Sequence, residues 1–99
     1  MPFVIEYSPD AEDHLRVLTA RQRAIILDSV DVRLVHQPDV ETRNRKPMRP
    51  NPVAPWELRV GDFRVYYDVV EQPVKRVLVR AVGVKVRNAI WIGKEVVKL

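Results

Sequence analysis

The segment Trp56–Val69 constrains the fold of this chain more than any other. Trp56, Leu58 and Val60 alternate with Glu57 and Arg59. Phe63, Val65, Tyr67 and Val69 then alternate with Arg64, Tyr66 and Asp68. Period-two alternation is the signature of a half-buried strand, and only Gly61-Asp62 separates the two runs. A two-residue connection with Gly first suits a type II′ hairpin turn. That turn pairs Val60 with Phe63, Arg59 with Arg64, Leu58 with Val65 and Glu57 with Tyr66. One face of the hairpin is then apolar, and the other carries Glu57, Arg59, Arg64 and Tyr66. Two arginines directly across a ladder repel each other. An anion seated between them would relieve that repulsion.

A chain of 99 residues, 46% apolar and 30% charged, suits one globular domain spanning residues 1–99. With no cysteine, disulfides and thiolate metal sites are excluded, and the composition fits a reducing cytoplasm. No stretch has the length and apolarity of a membrane span. Met1–Glu6 lacks the basic-then-apolar pattern of a signal peptide. His14 and His36 fall on separate predicted helices without a carboxylate at metal-ligand spacing. Neither a metal nor a small-molecule cofactor is expected.

The net charge of +4 is unevenly spread. Residues 1–40 carry net −3, residues 41–73 net +1 and residues 74–99 net +6. Between Thr42 and Trp56 there is no acid, while Arg43, Arg45, Lys46 and Arg49 are all basic. This asymmetry favours a polyanion or an acidic protein docking on the later part of the chain. A solvated basic surface is the plainer alternative.

Phe3–Tyr7 alternates and reads as a strand. Ser8-Pro9-Asp10 reads as a helix start, with Ser8 the N-cap and Pro9 the first helical residue. Ala11, Leu15 and Leu18 form its stripe. Thr19 followed by Gln22 is a capping box that opens a second helix. Leu27, Val30 and Leu34 line its inner face, with Ile26 at the edge, and Gln37-Pro38 ends it. A proline-rich loop spans 38–55. After the hairpin, Glu71-Gln72-Pro73 turns the chain into a strand over Val74–Val82, which Gly83 ends. Residues 85–94 read as irregular with a short extended piece. The expected fold is α+β, in the order β-α-α-β-β-β. Its two helices pack on one face of a small antiparallel sheet, and an irregular basic segment follows.

The hairpin residues Trp56-Glu57-Leu58-Arg59-Val60-Gly61-Asp62-Phe63-Arg64-Val65-Tyr66-Tyr67 resemble a pattern of the RelE/ParE superfamily of toxin–antitoxin toxins. Val82-Gly83-Val84-Lys85 resembles that superfamily's glycine-terminated last strand and its basic continuation. Members similar to RelE cut messenger RNA in the ribosomal decoding site. Members similar to ParE inhibit DNA gyrase and hydrolyse nothing. Both kinds are neutralised by an antitoxin. The resemblance therefore implies a cognate antitoxin, with the ribosome and messenger RNA as further partners of a RelE-like chain. A gyrase inhibitor, or a degenerate homologue that only binds antitoxin, is the alternative.

Metal-free RNA cleavage needs a 2′-hydroxyl deprotonated, a phosphate stabilised and a leaving 5′-oxygen protonated. The resemblance implies catalytic roles for Arg64 as phosphate clamp, with Arg59 and Lys85 beside it. Glu57 stands where RelE has lysine. It is a candidate base, with an ion pair to Arg59 or Arg64 as the competing reading. Tyr66, across the ladder from it, is a candidate acid or stacking group. Trp91 stands where RelE has a C-terminal tyrosine, and an indole does not transfer a proton usefully. Arg43, Arg45, Lys46, Arg49 and Arg87 are candidate RNA-binding residues through phosphates. Trp91 joins them through base stacking, with a packed C-terminal anchor as its alternative.

Overall fold

The computed structural model describes residues 2–98. After strand β1 (Val4–Tyr7) come helix α1 (Pro9–Arg16) and helix α2 (Ala20–Arg33). Both helix starts follow from their caps. The Ser8 hydroxyl accepts the Ala11 N–H at 3.1 Å, with Pro9 in the first turn. Thr19 and Gln22 exchange hydrogen bonds of 3.1 and 2.9 Å. Each side chain satisfies a helix-end donor that would otherwise lack a partner. On α2 the fully buried ridge is Ile26 and Val30, continued by Leu34, with Leu27 only flanking it. The expected roles of Ile26 and Leu27 are thus exchanged. Both i, i+4 and i, i+3 stripes fit a 3.6-residue period, so the sequence alone left the choice open. The helix ends at Arg33, before the Gln37-Pro38 expected to stop it.

The strands are β2 (Arg45–Pro47), β3 (Trp56–Val60), β4 (Phe63–Val70), β5 (Arg76–Val86), β6 (Ala89–Ile92) and β7 (Glu95–Val97). The β3–β4 hairpin has the expected register in all its pairs, from Trp56 opposite Tyr67 to Val60 opposite Phe63. Gly61 adopts φ +57° at the turn, as a type II′ turn requires.

The rest of the sheet departs from expectation in three ways. First, it is mixed. β1 lies parallel to the first half of β5, Val4 beside Arg76 and Tyr7 beside Val79. Second, β2 extends the other edge by pairing with β3 inside the proline-rich loop. Third, the C-terminal segment is not irregular. β6 and β7 continue the sheet antiparallel, giving the path β2-β3-β4-β5-β6-β7. Gly83 does not end its strand but sits within β5. A Cβ there would stand 2.7 Å from the Trp91 carbonyl oxygen and 2.9 Å from Ile92 Cγ1. Glycine is what lets β6 approach so closely.

On one edge of β5, β1 reaches Val79 and β6 begins at Gly83. The backbone between them is satisfied by α1 and its cap. Ser8 N–H donates to Val79 O at 2.9 Å and the Ser8 hydroxyl to Arg80 O at 3.0 Å. The Val82 N–H donates to His14 Nδ1 at 3.2 Å. His14 therefore ties α1 to the sheet. The core lies between the helices and one sheet face, where Leu58, Val65, Tyr67, Val77, Val79 and Val82 meet Ala11, Leu15, Ile26, Val30 and Leu34. Trp56 stacks on Tyr67 with ring centroids 6.2 Å apart.

Candidate anion-binding site

The strand period that sends Leu58, Val65 and Tyr67 into the core sends Glu57, Arg59, Arg64 and Tyr66 to the opposite face. Register brings these together. Glu57 lies between Lys46 of β2 and Tyr66 of β4, and Arg59 is opposite Arg64. The two arginines relieve their repulsion without any bound anion. Arg59 Nε donates to Glu57 Oε1 at 2.9 Å. Arg64 turns the other way, and its Nη1 donates to Gly61 O at 2.8 Å and Phe63 O at 2.9 Å. The anion that the sequence reading set between them is therefore one way of relieving their repulsion, and these hydrogen bonds are another.

Arg64 is nonetheless the unusual charge of the molecule. It is 8% exposed, and no ion pair to it exists among the described residues. Two carbonyl dipoles hold it, yet its net charge has no counter-charge. A nearly buried cation in that condition is costly. It borders an open cleft of about 580 Å³ lined by Asp62, Arg64, Val84, Lys85, Val86 and Arg87. The Lys85 N–H donates to Asp62 O at 2.7 Å and closes one end. Three cations face one acid here, so the cleft favours an anionic ligand.

The two candidate proton-transfer groups are differently placed. Glu57, 8% exposed, makes the ion pair with Arg59. Tyr66 is fully buried, and its hydroxyl lies near the Glu57 carboxylate without forming a hydrogen bond of good geometry. Burial, and then the neighbouring Glu57 carboxylate, raise its pKa well above the ordinary phenol value. Ala54, Ala81, Met48, Val53, Ile90 and Ile92 pack around its ring as a second small core. The loop supplying the first of these is braced by Asn51, whose amide donates to Arg49 O and Ala54 O while its oxygen accepts from Val53 and Ala54. The sequence reading left Tyr66 open on the polar face, but this braced loop covers it.

Of the remaining candidates, Arg87 lines the cleft with Arg64 and Lys85. Lys46 shares the face and reaches Glu41 at 3.4 Å. Arg43 is exposed on the loop, and Arg49 lines a separate cavity of about 440 Å³ with Pro50, Pro52, Asp68 and Arg80. Arg45 points to the helix side and donates to Arg33 O and Val40 O, anchoring the loop to the end of α2. Trp91 is paired with Val84 and borders His14, Val17 and Leu18. It lies on the opposite sheet face from Arg64 and is 38% exposed.

Sequence reasoning passed over Asp62 and Arg80. A β-bulge between Tyr66 and Tyr67 leaves Arg80 as the extra residue of β5, and its guanidinium reaches Asp68 at 3.3 Å. Bulges re-aim side chains in this way. The signal was present, since the buried valines step from Val77 and Val79 to Val82, a slip of one in the alternation. Among the described residues no cluster of His, Cys, Asp and Glu could hold a metal. Among the described residues no helix is long and apolar enough to cross a membrane.

Comparison of the sequence with protein-family models and with curated proteins finds no match. Among solved structures, the fold is similar to a chain in the crystal structure of the toxin–antitoxin complex RelBE2 from Mycobacterium tuberculosis. The TM-score is 0.73 and the identity 21%, with 86% of this chain and 100% of that chain covered. The two chains share a fold.

Proposed function

We propose that this chain is the toxin of a type II toxin–antitoxin pair, acting in the cytoplasm as a ribosome-dependent messenger-RNA endonuclease restrained by a cognate antitoxin. The observation that carries this reading is Arg64, a nearly buried guanidinium without a counter-charge at the edge of a cationic cleft. The fold shared with a chain of a toxin–antitoxin complex supports the same reading. In such a reaction Arg64 and Lys85 stabilise charge that builds on the scissile phosphate. Donors fixed before the reaction need no reorganisation during it, and this is where electrostatic catalysis gains most. Arg59 holds Glu57 in place. The ribosome presents the RNA strand in a fixed geometry, which supplies the proximity that a small open face lacks.

A second reading has its own observation. Glu57 is engaged by Arg59 and Tyr66 is buried, so the free chain presents no exposed acid–base pair. That favours a gyrase-directed inhibitor that binds without hydrolysis. Primer extension on messages from cells expressing the chain separates the two. Breaks within codons support the nuclease. Intact messages with induced DNA damage would discard it in favour of the inhibitor.

A further inference from the structure

Strands β2 and β3 pair as far as Pro47 and Trp56, and residues 48–55 join them. A hairpin loop usually needs only about two to five residues. The surplus folds back over the sheet face opposite the helices, where Met48, Val53 and Ala54 pack on the Tyr66 ring. Pro50, Pro52 and Pro55 have no N–H to offer a neighbouring strand. Among the described residues, every hydrogen bond of the loop stays within it. The Met48 N–H donates to Pro55 O at 2.8 Å, and the Asn51 side chain makes the others. No ion pair among the described residues reaches the loop. It is a unit with its own internal brace, and it rests on the sheet through apolar contact.

The packing around it is incomplete. A cavity of about 440 Å³ lies between the loop and the Asp68–Arg80 pair. A second, of about 310 Å³, shares Pro52, Val53 and Arg80 and runs on to Ile92 and Val97. A segment with few bonds to other elements and open space at its flanks opens at low free-energy cost. What it covers is a reactive group. The Tyr66 hydroxyl lies near the Glu57 carboxylate, short of a well-formed hydrogen bond. An RNA oxygen cannot reach that hydroxyl while the loop is down.

We propose that the 48–55 loop is an autoinhibitory cover, braced by Asn51, which must lift from Tyr66 before RNA can be cleaved. The proposal rests on the endoribonuclease reading with Tyr66 as the proton donor, and it gives that reading a closed state for the free chain. Gating by a loop of this kind makes opening part of the catalytic cycle.

The test frees the loop without touching the residues under it. Asn51→Ala removes the brace, and Asn51→Asp keeps only its accepting oxygen. Two quantities are read on the full chain. One is the rate at which tetranitromethane nitrates each tyrosine, located by tandem mass spectrometry. The other is the single-turnover rate of message cleavage on programmed ribosomes. Asn51→Ala should nitrate Tyr66 several-fold faster and cleave several-fold faster, with Asn51→Asp between it and wild type. Tyr67, buried on the helix side, should stay slow throughout. In a Tyr66→Phe background, Asn51→Ala should bring no gain in cleavage. Loss of a merely structural brace would not raise activity.

Faster nitration with unchanged or slower cleavage would overturn the gate while leaving the nuclease reading intact. Unchanged nitration of Tyr66 in both variants would show that Asn51 does not hold the loop down, and would also overturn it. Should Asn51→Ala expose Tyr67 as well, the chain is unfolding and Asn51→Asp alone decides by the same two rates. Wild type that cuts no message on the ribosome would remove the endoribonuclease reading and the gate with it.

Discussion

Tyr66 and Tyr67 are neighbours in β4, both fully buried, on opposite faces of the same sheet. On the helix side, the Tyr67 hydroxyl donates to Pro38 O at 2.6 Å and its ring stacks on Trp56. On the other side, the Tyr66 hydroxyl lies near the Glu57 carboxylate without a well-formed hydrogen bond. The helix face is a satisfied core whose polar atoms are matched. The opposite face keeps an unmatched hydroxyl and a guanidinium without a counter-charge. Such loose ends are where a protein holds something back for a ligand or a reaction, whereas a packed core has no use for them.

The comparison can be broken most directly with one truncation on each face. Leu58→Ala removes a fully buried side chain from the helix-side core and should lower stability by about 2–5 kcal/mol in urea titration. Arg64→Ala on the other face should leave the urea midpoint near wild type, since relief of an uncompensated, nearly buried charge offsets the two lost carbonyl hydrogen bonds. It should slow RNA cleavage on the ribosome about a hundredfold or more. Full toxicity of Arg64→Ala would mean that the chemistry sits elsewhere. An unchanged midpoint for Leu58→Ala would mean that the core is not where the structure puts it.

Gly83→Ala probes the seam between the two cores. The added methyl would meet the Trp91 carbonyl and Ile92 Cγ1, so β6 must move. A loss of about 1–3 kcal/mol is expected, as for other overpacked sites. Hydrogen exchange should quicken first in β6 and β7. Uniform exchange rates, or no loss of stability, would show that β6 is not held against Gly83.

These substitutions also mark how far the sequence could be read. The β3–β4 register was legible because period-two alternation and a two-residue turn leave no freedom of slip. Helix starts were legible because Ser8 and Thr19 are local caps. β6 was missed because its turn, Arg87-Asn88, carries arginine where a turn signal would be glycine. Gly83 was misread as an ending because a close approach from another strand leaves no local trace. The parallel pairing of β1 with β5 was missed for the same reason, since the partner lies about seventy residues away and only tertiary packing selects it. At the site, the shared face of Glu57, Arg59, Arg64 and Tyr66 followed from alternation. Which of them are buried or paired did not. Burial of Tyr66 depends on a loop whose shape is set by Asn51, and the fate of Glu57 on which arginine turns toward it.

Alkaline titration sharpens the comparison from another side. Burial and the Asp31 carboxylate push the Tyr7 pKa up to about 12. Burial raises Tyr66 and Tyr67 further. An unfolded tyrosine releases its proton near pH 10, so above that pH the folded chain binds more protons than the unfolded one. The tyrosines' contribution to stability should therefore be fully present below about pH 10 and be lost steadily from about pH 10 to 12. A midpoint in urea that does not move over that window would contradict the burial of these phenols.

The finest test returns to the paired tyrosines, with phenylalanine as the probe. Tyr67→Phe leaves the Pro38 carbonyl without its donor in a buried place. A loss of about 1–3 kcal/mol is expected, the usual result of orphaning one member of a buried hydrogen bond. Tyr66→Phe removes a hydroxyl whose contact with Glu57 falls short of a well-formed hydrogen bond, and with it the burden of keeping a polar atom dry. Its stability should stay within about 0.5 kcal/mol of wild type or rise slightly. RNA cleavage gives the second readout. If the Tyr66 hydroxyl donates a proton in the reaction, Tyr66→Phe should keep its stability and lose activity. If the ring is only the centre of the small second core, both should persist. Equal destabilisation by the two substitutions would erase the distinction between the faces, because it would mean that Tyr66 has a hydrogen-bond partner in solution.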